Sequence, residues 1–199
     1  FTIQSGRTLT IGGGLYVGNV GGQTLTLDGG GNYVFSGTLS GGGTLIKQGT
    51  GAVTIKTPNY NTNFVLNAGT FYMDQPYCIC GNSGATLTIN GGTIDNNNGG
   101  VDMQYAAPSY FWNGDFAYGG TGPLTFSSGA VTLGGNRTVT CNSNTFKVGI
   151  AIGDGGHACR ATAPPVPLAP AHARNREARV HLVRSRLRLP APVPDGHRL

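Results

Sequence analysis

Side-chain chemistry needs ionisable groups at workable spacing, and residues 1–156 carry few. The acids there are Asp28, Asp74, Asp95, Asp102, Asp115 and Asp154, and the bases are Arg7, Lys47, Lys56, Arg137 and Lys147. There is no Glu and no His in this part. Glycoside cleavage needs two carboxyl groups roughly 5–9.5 Å apart, one of them held protonated. Each Asp here lies in a Gly/Asn-rich turn or at a strand end, and no two share an obvious strand face. Asp95, Asp102 and Asp115 with Arg137 are the only set from which a calcium-assisted lyase site could be drawn, and turn Asp residues ordinarily satisfy the backbone instead. The expectation is therefore a protein that is not an enzyme, with no catalytic residue.

Other site types fare similarly. Cys78 and Cys80, at i and i+2, point to one face of a strand. A metal would need two further ligands, and no His is at hand to supply one. They read as small core residues, with a bridge from Cys78 or Cys80 to Cys141 left open. The Gly-rich runs are not followed by G-K-[ST] and no helix is on offer, so no phosphate or nucleotide cofactor is expected. Asn136-Arg137-Thr138 fits a glycosylation pattern weakly, and Ile152 to Gly156 is a lone copy of a calcium-repeat-like string. Aromatic residues bunch between Val101 and Tyr118, including Tyr105, Tyr110, Phe111, Trp112, Phe116 and Tyr118. Tyr110, Trp112 and Tyr118 are the candidates for a sugar-stacking platform; the other reading of this cluster is a local cap or covered loop.

The elements that would position such residues are short. Thr-apolar-Thr segments recur at Thr8–Ile11, Thr24–Leu27, Thr44–Ile46, Val53–Ile55, Thr86–Ile89, Leu124–Phe126, Val131–Leu133 and Val139–Thr140, with glycine pairs and triplets between them. With 35 Gly and 11% charged residues in 199, this is an all-β composition with a turn after every short strand. A strand of four or five residues buries one face only. Stacking successive coils, so that each inward Leu, Ile, Val or Phe rests on its counterpart one rung away, gives such strands a shared core. The series Thr8, Thr24, Thr44 suggests a degenerate coil of roughly 16–22 residues. No apolar run approaches the roughly 20 residues of a membrane-spanning helix. Phe1 opens inside a strand-like stretch with no initiator Met and no basic leader, so the chain is expected to begin inside a larger protein.

Two stretches resemble a known family. Gly42-Gly43-Thr44-Leu45-Ile46-Lys47-Gln48-Gly49-Thr50-Gly51-Ala52-Val53-Thr54-Ile55, followed by Phe64-Val65-Leu66-Asn67-Ala68-Gly69-Thr70-Phe71, is similar to the autotransporter-associated β-strand repeat. Trp112 to Phe116 and Ser128 to Thr140 resemble the spacers between such repeats in very large bacterial surface proteins. The pattern departs at Gln48 and in the Thr57–Asn63 loop, where Pro58 intervenes. The resemblance implies a right-handed parallel β-helix in an exported passenger region, and it brings no catalytic residues with it.

Composition changes abruptly at His157. Residues 1–156 carry a net charge of −1, whereas residues 157–199 carry +6, with eight Arg, no Lys, no aromatic residue and seven of the eleven Pro. The expected organisation is thus a β-solenoid over 1–156 and an Arg/Pro-rich tail over 157–199, disordered or partly helical. Arg174–Leu189 can be drawn as a basic amphipathic helix that would bind nucleic acid or an anionic membrane. An Arg/Pro/Ala-rich string without Lys or aromatics also fits a GC-rich gene translated out of frame, and that reading is preferred, so no nucleic-acid partner is expected. The function expected is a structural or adhesive stalk segment at the cell surface, outer-membrane associated, with surface glycans or other cells as partners. A carbohydrate-binding or carbohydrate-cleaving β-helix is the alternative, and tail-mediated nucleic-acid binding a second one.

Overall fold

The computed structural model describes residues 1–18, 22–79, 84–103, 107–163 and 179–182. Every element among them is a β-strand. One side of the molecule is an eight-stranded sheet made, in order, of β1 (Thr8–Ile11), β4 (Asn32–Phe35), β7 (Ala52–Ile55), β10 (Thr70–Met73), β12 (Thr93–Asp95), β15 (Phe116–Tyr118), β18 (Arg137–Cys141) and β21 (Cys159–Thr162). A second sheet has seven: β3 (Thr24–Leu27), β6 (Thr44–Lys47), β9 (Asn63–Leu66), β11 (Thr86–Ile89), β14 (Ser109–Trp112), β17 (Ala130–Leu133) and β20 (Ala151–Gly153). The third side begins as β2 (Leu15–Tyr16), β5 (Leu39–Ser40) and β8 (Asn59–Tyr60). It resumes as β13 (Val101–Met103), β16 (Leu124–Phe126), β19 (Thr145–Val148) and β22 (Arg179–Leu182). All of these strands pair in parallel. The chain is a β-solenoid of about 7 turns.

The burial pattern explains why strands this short are stable. Interior strands alternate, as in β6, β7, β9, β10 and β11, where every second residue is buried and its neighbours are half-buried. Period-two alternation therefore directs one set of side chains inward on every coil. In the second sheet the inward column runs Leu25, Leu45, Phe64, Leu87, Tyr110, Val131, Ile152. In the first it runs Leu9, Tyr33, Val53, Phe71, Ile94, Tyr118, Cys141. Each fully buried aliphatic rung contributes about 1.5–3 kcal/mol of transfer free energy.

Two sequence expectations are corrected by the register. Thr24 does pair with Thr44, but Thr8 pairs with Asn32, so Thr8 and Thr24 belong to different sides of one coil. Leu9 accordingly joins the Tyr33 column, while Leu25, Leu45 and Leu87 share another; all pack in or against one core. Register partners along the first sheet lie between 18 residues apart (Ala52 and Thr70) and 24 apart (Thr8 and Asn32), a slightly longer coil than the Thr spacing suggests.

The ladder also runs past residue 156. β21 continues the first sheet beside β18, with Arg137 opposite Cys159 and Thr140 opposite Thr162. Of the stretch drawn from sequence as a basic helix, residues 179–182 form strand β22 against β19. The rest of that stretch lies outside the described residues.

Corners are built from glycine and amides. Gly69 has φ +76°, and a Cβ there would clash with the Gly51 carbonyl oxygen, so only glycine suits both the backbone and the space. Just after the second-sheet strands, Gln48 Nε2 donates to Asp28 Oδ2 (3.2 Å) and Asn90 Nδ2 to Asn67 Oδ1 (2.7 Å). These side chains bridge successive coils along the stack.

Candidate functional site

The aromatic candidates are in the core. Tyr110, Trp112 and Tyr118 are each fully buried, so none presents a ring face to a sugar, and a surface platform built on them is not what the fold contains. Tyr110 stacks on Phe126 with centroids 4.4 Å apart and planes at 10°, and Trp112 meets Phe116 edge-on at 5.0 Å. Tyr118 stacks on Phe146 at 5.3 Å. These rings pack where β13, β16 and β19 form the third side. Tyr105 lies outside the described residues.

The carboxylates drawn together from sequence are separately committed. Asp95 is buried and accepts from the amides of Asn96 (2.8 Å) and Thr121 (2.9 Å) and from Thr121 Oγ1 (2.6 Å). Asp115 Oδ1 accepts from the amide of Thr138 at 2.8 Å, and Asp102 accepts from Ser127 Oγ. Arg137 donates through Nε to the carbonyl of Trp112 (3.2 Å) and through Nη1 to that of Asn136 (2.9 Å). Each of these bonds ties one coil to its neighbour or closes a corner. Cys78 and Cys141 are buried free thiols, the latter pushed up to about 11 by burial; Cys80 lies outside the described residues. Among the described residues no three His, Cys, Asp or Glu side chains converge as metal ligands.

One buried cation was not anticipated. Lys47 is fully buried in the column Leu27, Lys47, Leu66, Ile89, Trp112, Leu133. Its stem replaces an aliphatic rung, and Nζ donates to the carbonyls of Gln48 (2.5 Å) and Gly49 (3.0 Å) in the next corner. Desolvation lowers its pKa from the ordinary lysine value, and Asp28 opposes that shift.

The outward face of the first sheet carries a polar groove of about 430 Å³ lined by Val34, Thr54, Lys56, Asp74, Asn97 and Asn98. Four successive coils build it, with Asn97 and Asn98 coming from the corner after β12. Val34, Thr54 and Tyr72 stand in register on β4, β7 and β10, and Lys56 and Asp74 follow the last residues of β7 and β10. Asp74 Oδ1 accepts from the amide of Asn97 (2.9 Å), and Asn98 Nδ2 donates to the carbonyl of Asp74 (2.8 Å). No linear motif marks this groove, because its residues come from positions 34 to 98 and meet only through coil register.

These features define a parallel β-solenoid repeat protein. Comparisons with protein-family profiles, with curated proteins and with solved structures found no match.

Proposed function

We propose that this chain is a stalk segment of an exported bacterial surface protein of the autotransporter passenger type. The observation that carries the reading is the parallel ladder, which runs through the stack on two sides and in two separate stretches on the third. About 7 turns at ~4.8 Å per rung make a rod of roughly 30 Å, and further coils would lengthen it without new design. Asp28, Lys47, Asp74, Asp95, Asp102, Asp115 and Arg137 serve corners and inter-coil bonds, as a spacer requires. The resemblance of Gly42–Phe71 to the surface-protein repeat supports export, and Lys47, within that stretch, anchors the corner that follows it.

The test is surface accessibility in the native host. Intact cells probed with an antibody against residues 1–156 should be labelled, and mild external proteolysis should remove the epitope. Labelling only after permeabilisation would overturn the proposal.

A further inference from the structure

We propose that the groove between Lys56, Asp74 and Asn97 is a binding site for an acidic saccharide, a sugar chain bearing carboxylates of the uronic-acid kind. The proposal is independent of where the protein resides. It rests on how the uncommitted polar groups are distributed. Lys56 is exposed, and among the described residues its ammonium has no carboxylate partner. Asp74 uses Oδ1 on the Asn97 amide, leaving Oδ2 without a partner among the described residues. Asn98 spends its amide nitrogen on the Asp74 carbonyl, which leaves its Oδ1 as an acceptor, and the Asn97 carboxamide is exposed.

The groove therefore offers a cation, a carboxylate oxygen, carboxamides and the Thr54 hydroxyl within one concavity of the size that small ligands occupy. Hydroxyl groups both donate and accept, so a polyol matches such a mixed lining. An apolar peptide anchor would want an apolar pocket, and among the described residues Val34 is the one aliphatic residue in the lining. Lys56 supplies the charge preference: a ligand carboxylate beside it forms a charge-assisted bond that a neutral sugar lacks.

Calorimetric titration of the full chain with an oligogalacturonate tests this, against a neutral maltooligosaccharide of equal length and an oligoglutamate of equal charge. Oligogalacturonate should bind. Lys56→Ala should weaken it about tenfold, the order of one charge-assisted bond, while Lys56→Arg largely keeps it. Asn97→Ala should weaken the uronate and leave circular dichroism unchanged. No uronate binding, equal affinity for the neutral sugar, or equal affinity for oligoglutamate would each overturn the proposal. So would full affinity in both Lys56→Ala and Lys56→Gln.

Discussion

Lys47 shows how a single residue is tested against the fold around it. Its stem fills a rung between Leu27 and Leu66, and its ammonium holds two corner carbonyls. Lys47→Ala removes both functions and should cost about 2–5 kcal/mol, as large-to-small core changes do. Lys47→Met keeps the stem and strands the carbonyls, costing about 1–3 kcal/mol. Urea midpoints at unchanged slope measure both. A Lys47→Met variant more stable than wild type would show that desolvating the ammonium outweighs its bonds, as it does for some buried charges. Asp28 gives a pH-dependent counterpart. The Gly29 amide, and then the Gln48 side chain, hold its carboxyl below the ordinary value of 3.8. A depressed folded pKa means stability that is present above the unfolded value and lost as pH falls through the folded one. The stability gap between wild type and Asp28→Asn should therefore be constant near neutrality and shrink once pH drops below about 4. A gap that stays fixed down to pH 2 would mean that the carboxylate does not stabilise this corner.

At the scale of the element, corners differ in how much they carry, and burial decides which matter. Asn96 is fully buried; its Nδ2 donates to the carbonyls of Gly122 (3.0 Å) and Pro123 (2.8 Å), so it fastens the β12 corner to the next coil. Asn96→Ala leaves those carbonyls without their donor and should cost about 1–3 kcal/mol. Asn90→Ala removes one exposed inter-amide bond and should cost less, about 0.5–1.5 kcal/mol. Thermal unfolding of the two variants should keep that order; the reverse order would mean that the exposed amide ladder, not the buried corner, holds the coils together. Much of this was legible in the sequence. The Thr-apolar-Thr strings mark β1, β3, β6, β7 and β11 because inward and outward faces alternate with period two. What escaped is pairing between coils. Asn32–Phe35 carries no Thr signature, yet it is the strand that takes Thr8 away from Thr24. Trp112 and Tyr118 looked like surface aromatics because aromatic type alone does not say which side of a strand faces the core. The groove had no linear signature at all, since Lys56 and Asp74 are neighbours only through the β7–β10 register.

For the whole molecule, a one-dimensional stack implies that stability is set by neighbouring coils and fades toward the ends. Burial along single columns already shows the gradient. Leu25, in the first coil, and Ile152, near the other end, are only partly buried, while Leu45, Phe64, Leu87 and Tyr110 between them are fully buried. Phe1 and Tyr16 in the first coil are 60% and 61% exposed. In this chain β1, β2 and β3 each pair with one strand only, apart from the Thr2–Asp28 bridge at the end of β3, so inward residues there have fewer rung contacts and ladder amides lie closer to water. Hydrogen exchange on the chain of residues 1–199 should therefore be slowest in β7, β9, β10 and β11 and fastest in β1 to β3, because local opening follows the number of packed neighbours. Adding mild urea should melt the first coil before the middle ones, giving exchange that depends on denaturant more weakly at the end than at the centre, since less surface is exposed by the smaller opening. Uniform protection from β1 through β18, collapsing at one urea concentration, would show a single cooperative unit and contradict the view that each coil is stabilised by its neighbours alone.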